Sequence, residues 1–226
     1  MNASGNLVAK RQLLKTLPVT SPGFAADKAT AEYYDRRAAE YDDWYLGTGL
    51  FAERDRPGWD TEVDQVVAAL GELPAARTLD VACGTAFLTR HLEGIVVGLD
   101  QSPAMVSVAA SRLRAKRVVL GDALHLPVAT NSFERALSGH FYGHLPPHER
   151  KMFLGEVQRV ASELVVVDSA LGPGVDAEQV QERVLNDGSR HVVHKRYLSA
   201  GQLAAEIGGQ PLFDGRWFVV ARAIWA

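Results

Sequence analysis

Along the middle of the chain, the spacing of apolar residues alternates between that of a strand and that of a helix. This alternation predicts the order of the secondary-structure elements. Short apolar runs rich in β-branched residues predict five strands, at 78–82, 95–100, 117–121, 134–138 and 164–168. Helical spacing predicts helices at 87–93, 103–113 and 147–160, and Ser102 and Pro103 suit the start of the second one. Strands that alternate with helices predict an α/β fold, a doubly wound and mostly parallel sheet.

The remaining segments follow other patterns. Residues 60–70 are amphipathic and predict a helix that covers one face of the sheet, and residues 210–224 predict an antiparallel hairpin that turns at Asp214 and Gly215. Residues 25–46 have helix-like spacing and many aromatic side chains, which predicts a cap. The first 24 residues show no sustained period, so a loosely docked arm is expected there.

Residues 180–198 are the least regular part of the chain. Asn186, Asp187 and Gly188 are typical of a hairpin turn, so one interpretation is a lid hairpin. The other interpretation is a solvated charged surface. We expect one domain over 1–226, divided into an arm (1–24), an aromatic cap (25–60), a core (61–170), and a lid with a C-terminal hairpin (171–226).

Composition narrows the class of ligand. The chain has 226 residues, of which 47% are hydrophobic and 23% charged, and this is typical of a soluble globular domain. A net charge of −3 gives no basic face for nucleic acid, and no apolar stretch approaches a membrane span or a secretory signal. The single cysteine, Cys83, fits a reducing compartment. We therefore expect a cytoplasmic monomer or homodimer that acts on a small molecule, without nucleic acid or membrane partners.

The turn after the first predicted strand carries the most informative chemistry. It reads L-D-V-A-C-G-T-A from Leu79 to Ala86, and the strand before it and the helix predicted after it are typical of a nucleotide-binding crossover. Asp80 within this turn would repel a pyrophosphate, which argues against a dinucleotide site. A ligand with an ammonium and a sulfonium group would be attracted.

The same segment resembles the first motif of the class I S-adenosylmethionine (SAM) dependent methyltransferases, of the type 11 or 25 small-molecule kind, which reads D-x-x-C-G-T-G. Ala86 replaces the last glycine, which adds a methyl group where the family's backbone passes close to the cofactor. The resemblance covers roughly residues 75 to 170 in the order of elements. It implies a seven-stranded sheet with one antiparallel C-terminal hairpin strand.

The resemblance also implies an activity. SAM would donate a methyl group to an O, N or C nucleophile of a quinone, natural product or similar metabolite and leave S-adenosylhomocysteine. Two alternatives stay open: a protein that uses SAM for chemistry other than methyl transfer, and a non-catalytic SAM-binding scaffold. Basic residues in the predicted lid hint at an anionic or carboxylated acceptor.

The family's motifs assign residues to the cofactor. Asp100 ends the second strand, where a carboxylate accepts hydrogen bonds from the ribose hydroxyls, and Asp122 lies in a G-D-A-x-x-L-P motif that meets the adenine edge. The alternatives are a helix N-terminal carboxylate and a turn residue, and Cys83 is better explained as a small buried thiol than as a nucleophile. The implied cofactor-binding residues are Tyr33, Tyr41, Asp80, Ala82, Cys83, Gly84, Thr85, Asp100, Gln101, Met105, Gly121, Asp122, Ala123, Ser138 and Gly139.

Candidate catalytic residues follow the fourth predicted strand. His140 and His144 lie in S-G-H-F-Y-G-H-L-P-P-H, which in the family passes beneath the reactive methyl group, so either imidazole is a candidate general base. His144 equally suits a packing role. Histidines at every fourth position raise the possibility of a metal site, but Pro146 and Pro147 interrupt the helix that it would need, and no metal is expected.

Tyr33 and Tyr41 belong to the Y-Y-D-x-R-A-x-x-Y-D pattern of the predicted cap. In related enzymes this pattern closes over SAM, and an aromatic face attracts a sulfonium. The alternative is an apolar stripe that only seats the cap.

Overall fold

A computed structural model describes residues 24–25, 27–113 and 117–225. The predicted arm therefore lies outside the described residues, except for Phe24, which is buried. The helices are α1 (Lys28–Arg37), α2 (Asp43–Leu46), α3 (Trp59–Gly71), α4 (Pro103–Arg112), α5 (Pro147–Val160) and α6 (Ala200–Ile207). The strands are β1 (Ala76–Val81), β2 (Gly94–Asp100), β3 (Val118–Leu120), β4 (Phe133–Gly139), β5 (Ala161–Ser169), β6 (Glu178–Val184), β7 (Arg190–Arg196), β8 (Gln210–Asp214) and β9 (Phe218–Ile224).

Seven strands form the central sheet in the order β3-β2-β1-β4-β5-β9-β8. Strands β1 to β5 are parallel, and β9 runs antiparallel to both of its neighbours. This confirms the predicted α/β class, including the one antiparallel strand of the C-terminal hairpin. The strand order reverses between β1 and β4, and open α/β sheets bind their ligands at the carboxyl ends of the strands at such a reversal.

Both faces of the sheet are covered. Val165 and Val167 of β5 pack in a buried cluster with α3, whereas Leu164 and Val166 pack in a second cluster with α5 and α6. The alternation follows from the period of two in a strand, since neighbouring side chains point to opposite faces. The near-continuous apolar sequence of β5 is the consequence of this double burial.

One predicted helix is wrong. Residues 87–93 contain only a 3₁₀ turn at Thr89–His91. Ala86 has a left-handed φ of 61° before the turn, and Leu92 is already extended after it. Fewer than two helical turns fit between them, which is too short to offset the cost of nucleating an α-helix.

Two other segments differ in detail from the sequence analysis. The cap is divided into α1, a 3₁₀ turn at Ala38–Glu40 and α2, instead of forming one helix. Helix α6 has no counterpart among the predicted elements, although its capping box of Ser199 and Gln202 was a readable start signal. Strands β6 and β7 form a separate antiparallel hairpin around residues 185–189, which confirms the hairpin interpretation of that region.

Candidate active site

A tight turn joins β1 to the segment beneath the cap. The backbone of this turn takes positive φ at Ala82, Gly84 and Ala86, with values of 60°, 53° and 61°. A Cβ on Gly84 would lie at an ordinary contact distance of 3.5 Å from the ring of Tyr41, so the positive φ, and not the space, favours glycine here. The methyl group of Ala86 is fully buried in a cluster with Cys83 and Ala109, which places it away from the adjoining cavity.

Asp100 fixes the turn from the neighbouring strand. The Gly84 and Ser102 N–H groups donate to its two carboxylate oxygens at 2.8 and 2.9 Å. Burial nevertheless raises the pKa of Asp100 above its ordinary value. The carboxylate therefore lies at the carboxyl end of β2 as the sequence analysis expected, and it lines the cavity next to the turn.

Asp80 is the second buried acid at this crossover. The Thr89 hydroxyl donates to one of its oxygens, and the other oxygen has no partner among the described residues. Burial raises the pKa of Asp80 to about 7, and the nearby charge of Asp100 adds to the effect. Two carboxylates that share a dry site are poorly compensated, and a cationic ligand would relieve both.

We call the cavity at this crossover the cofactor pocket, after the role predicted for the residues that line it, and the cap closes it. Its volume is about 40 Å³, well below the ~300 Å³ of small ligand sites. The predicted residues that line it are Tyr41, Ala82, Gly84, Asp100, Gln101, Gly121, Ala123 and Gly139. A smaller recess next to it is lined by Asp80 and Cys83, together with Tyr41, Ala82 and Gly139.

Polar contacts tie the cap to the crossover. Asp42 pairs with Arg112 at 2.5 Å and accepts from the Thr85 hydroxyl at 2.6 Å. Asp35 accepts from the Ser102 hydroxyl at 2.5 Å. These contacts hold the cap in its closed position over the pocket, so a ligand larger than the cavity requires the cap to shift.

The other predicted cofactor residues lie near the pocket without lining it. The Asp122 carboxylate accepts from Leu124 N–H and contacts His125, each at 2.8 Å, while its neighbours Gly121 and Ala123 face the pocket. The Ser138 hydroxyl donates to the Val81 carbonyl, and Met105 is buried. Tyr33 lines a different cavity, described next.

A larger cavity, the lid chamber, lies between the cap, the β6–β7 hairpin and the C-terminal hairpin. Its volume is about 530 Å³, within the range of small-molecule sites. Tyr34, Tyr41 and His140 line both the chamber and the cofactor pocket. The two cavities therefore meet at these three side chains.

His140 has an unusual setting at this junction. Its φ is 55°, a left-handed value that costs a non-glycine residue about 1–2 kcal/mol. Its ring packs edge-on against Trp44 at 4.6 Å between centroids, and neither ring nitrogen has a hydrogen-bond partner among the described residues. Burial lowers the pKa of His140 to about 3 although Asp168 lies 4.0 Å away. The imidazole is neutral at physiological pH and free to accept a hydrogen bond.

His144 is held more firmly. Its Nδ1 lies 2.5 Å from the His194 carbonyl of β7, and its ring stacks on Phe24 at 4.9 Å. Burial, followed by repulsion from Lys195, lowers the pKa of His144 well below its usual value. The base role predicted for His144 stays a prediction, and its contacts join the end of β4 to the lid.

A buried ion pair that the sequence did not indicate lies behind the two histidines. Asp168 ends β5 and contacts Lys195 of β7 at 2.5 Å, and it also accepts from the Gly143 N–H at 2.7 Å. Although burial opposes ionisation, the charge of Lys195 and its hydrogen bond hold the pKa of Asp168 below its ordinary value. The sequence could have indicated Asp168, because it is an acid at the carboxyl end of a predicted strand. No local sequence pattern indicates that Lys195 is its partner.

Neither a metal site nor a membrane-spanning helix is found among the described residues. Within 24–25, 27–113 and 117–225, no group of three or more His, Cys, Asp or Glu side chains could hold a metal ion. No helix in these ranges is long and apolar enough to span a bilayer.

Comparisons with known proteins agree on the class. Residues 79–163 match the family model described as a methyltransferase domain. An uncharacterised methyltransferase from Alkaliphilus oremlandii is 24% identical over 69% of this chain and 72% of its own length. A demethylmenaquinone methyltransferase from Desulfitobacterium hafniense is 34% identical, but the match spans only 41% of this chain and 40% of that relative.

The fold has a solved counterpart as well. The structure of DhpI in complex with SAM and HEP superposes with a TM-score of 0.67 at 21% identity, over 86% of this chain and 95% of DhpI. The resemblance predicted from the first motif is confirmed: the chain carries a methyltransferase domain on the fold of the class I SAM-dependent methyltransferases. A methyltransferase is thus the class of function that these comparisons support.

Proposed function

We propose that this protein transfers the methyl group of SAM to an O, N or C nucleophile of a small metabolite held in the lid chamber. The observation that carries the proposal is the meeting of two cavities at Tyr34, Tyr41 and His140. The cofactor pocket is lined by Asp100 and adjoins the recess that Asp80 lines, and the lid chamber has the volume of a small-molecule site. Quinones and natural products are the acceptor classes expected from the family, and one relative is named for demethylmenaquinone.

The residues of the pocket have separate tasks. Asp100 would accept hydrogen bonds from the ribose hydroxyls, and the backbone at Gly121 and Ala123 would contact the adenine. Asp80 and the turn at Gly84 would face the aminoacyl end, where the buried carboxylate meets an ammonium group. DhpI, which shares the fold, binds SAM in its solved complex.

Transfer itself requires little chemistry from the protein. SAM supplies a sulfonium whose bond to the methyl carbon breaks as the acceptor attacks, with the electron pair remaining on sulfur. The side chains at the junction hold the acceptor in line and exclude water, which is the main source of rate enhancement in such a step. Aromatic faces of Tyr34 and Tyr41 next to the sulfonium would stabilise its charge.

His140 is our candidate for the proton acceptor. It lies at the junction, it is neutral, and both of its nitrogens are unpartnered among the described residues. For a hydroxyl acceptor it would take the proton as the oxygen attacks. Its low basicity makes this contribution smaller than that of positioning.

The test has two stages. Calorimetry with S-adenosylhomocysteine measures whether the cofactor pocket binds, and mass spectrometry then follows its formation from SAM with a panel of metabolites. We expect binding in the first stage and acceptor-dependent product in the second. Absence of binding to both SAM and its demethylated product would overturn the proposal.

A further inference from the structure

We propose that the lid chamber recognises its substrate through an oxyanion, a carboxylate or a phosphorus oxyanion, held by a cluster of arginines. This inference rests on the proposed function, because it names the class of acceptor molecule that the same site takes. It specifies the charge of the substrate, which the family resemblance leaves open.

The lining of the chamber carries a large excess of positive charge. Six cationic side chains line it, in addition to the two neutral histidines, and a single carboxylate, that of Glu182, lies among the lining residues. The cations are Arg37, Arg54, Arg56, Arg183, Lys195 and Arg216. They come from the cap, the loop after it, the lid hairpin and the C-terminal hairpin.

Two of the charged residues that line the chamber, Lys195 and Glu182, already have a partner of opposite charge. Lys195 pairs with Asp168, and Glu182 pairs with Arg190 outside the chamber. No carboxylate in the described part of the chain lies within 4.0 Å of a guanidinium nitrogen of the five arginines, and the Glu62 carboxylate contacts Arg216 only at its backbone N–H. The chamber therefore presents arginines whose partner is not supplied by the fold.

The inner arginines, Arg37 and Arg183, give the strongest support for an anionic ligand. Arg37 is only 8% exposed, and its guanidinium donates to the Tyr33 hydroxyl at 2.7 Å, a neutral partner. Arg183 contacts Gln181 at 2.6 Å, and its Nε is buried without a partner. A buried guanidinium without a carboxylate is costly to maintain, so such a group at a cavity wall indicates that a ligand supplies the anion.

The arginines also repel one another. Burial and the charges of Arg183 and Arg37 lower the pKa of Arg54, and burial and the charge of Arg54 lower that of Arg56. An oxyanion in the chamber reverses this repulsion, and a planar guanidinium matches a carboxylate or phosphorus oxyanion with two parallel hydrogen bonds. The single carboxylate of SAM carries one negative charge against five guanidinium groups, so several arginines remain for the acceptor.

The cluster lies outside the part of the chain that matches the family model. All six cations lie outside residues 79–163, the part that matches the methyltransferase family. The match to the family model therefore carries no information about the chamber. The aromatic side chains of Tyr33, Trp44, Trp59 and Trp217 line the same cavity, which favours an organic acid with an aromatic or apolar body.

Calorimetry on protein saturated with S-adenosylhomocysteine tests the inference, with benzoate and phenylphosphonate as anionic probes and benzamide as the neutral probe of similar shape. We expect at least one anion to bind about tenfold more tightly than benzamide or better, as for hydrogen bonds to a charged group. The two anionic arms distinguish a carboxylate from a phosphorus oxyanion. Equal affinity for benzamide and both anions would overturn the inference.

Two variants sharpen the result. Arg183→Gln removes a cation of the chamber and is expected to weaken the anion by about tenfold, whereas Arg77→Gln removes an exposed cation at the start of β1 and is expected to change nothing. An equal loss in both variants, or in neither, contradicts the assignment. The preceding titration with S-adenosylhomocysteine keeps the two proposals apart: failure there overturns the proposed function, and failure only with the anions overturns the inference.

Discussion

The cofactor pocket and the lid chamber differ in both charge and construction. The pocket places two buried acids, Asp80 and Asp100, at the ends of adjacent strands. The chamber collects guanidinium groups from four segments that are far apart in sequence. A positively charged donor and a negatively charged acceptor would each find the complementary cavity and attract each other across the junction, so electrostatics favours the correct arrangement of both ligands.

Of the substitutions that test the difference between the two cavities, Asp100→Ala is expected to have the largest effect. The variant loses the proposed acceptor for the ribose hydroxyls and also frees the Gly84 and Ser102 N–H groups. We expect SAM affinity to fall by at least about tenfold in calorimetry, the loss expected for hydrogen bonds to a charged acceptor. Asp60→Ala, an exposed acid of α3, is the matched control. Unchanged affinity would remove the ribose assignment.

His140→Ala tests the junction where the cavities meet. We expect kcat to fall about tenfold or more, as for a group that accepts a proton in the transition state, while the affinity for S-adenosylhomocysteine changes little. Because the pKa of His140 is about 3, it stays neutral from pH 5 to 9 and adds no inflection to the rate profile in that range. If kcat falls by less than about threefold, His140 only lines the junction and does not act as the proton acceptor.

Asp80 gives the pocket a pH dependence that the chamber lacks. Its pKa of about 7 is above the value of 3.8 that an unperturbed aspartate has. Its contribution to folding stability is therefore complete below pH 4 and is lost as the pH rises towards 7. The ammonium and sulfonium of SAM favour the ionised carboxylate, so binding lowers this pKa and releases a proton.

We expect SAM affinity to rise several-fold, on the order of fivefold, between pH 6 and pH 8. Calorimetry in two buffers of different ionisation enthalpy measures the released proton at pH 6.5. Asp80→Asn is the control, since it keeps the shape of the side chain and removes the titration. Proton uptake, or a dependence that persists in Asp80→Asn, would contradict the assignment to Asp80.

The sequence predicted the pocket far better than the chamber, for a physical reason. The residues that build the pocket follow the carboxyl ends of β1, β2, β3 and β4, and parallel strands bring those ends to one edge of the sheet regardless of the side chains elsewhere. A strand pattern and the L-D-V-A-C-G-T-A turn were therefore sufficient to predict Asp80, Gly84 and Asp100 as neighbours.

The chamber depends on how the cap and the lid pack, which no local period encodes. The basic residues of the lid hairpin illustrate this. Arg183 and Lys195 line the chamber, whereas Arg190 and Arg196 do not line it and pair with Glu182 and Glu206. Arg37, Arg54 and Arg56 complete the cluster from positions that had no assigned role, because only tertiary packing brings the cap beside the lid.

The helix wrongly predicted at 87–93 has a similar origin. Phe87 and Leu88 have apolar spacing that suits a helix, but the Thr89 hydroxyl is bound to Asp80 and Ala86 holds a left-handed backbone. The turn next to the cofactor pocket thus overrides local propensity, as expected where a site constrains the chain.

The smallest effect is expected from Ala86→Gly, which restores the residue that the family's motif has at this position. Glycine relieves the left-handed φ of 61°, worth about 1–2 kcal/mol, but it gives up a buried methyl group worth about 0.8 kcal/mol and adds ~0.5–1 kcal/mol of backbone entropy to the unfolded chain. These contributions nearly cancel, so thermal unfolding should give a free energy within about 1 kcal/mol of the parent. Because the methyl group packs against Cys83 and Ala109 and does not line the pocket, SAM affinity should also stay within about twofold. A large gain in SAM affinity would contradict this expectation, because it would mean that Ala86 reaches the cofactor after the cap has moved.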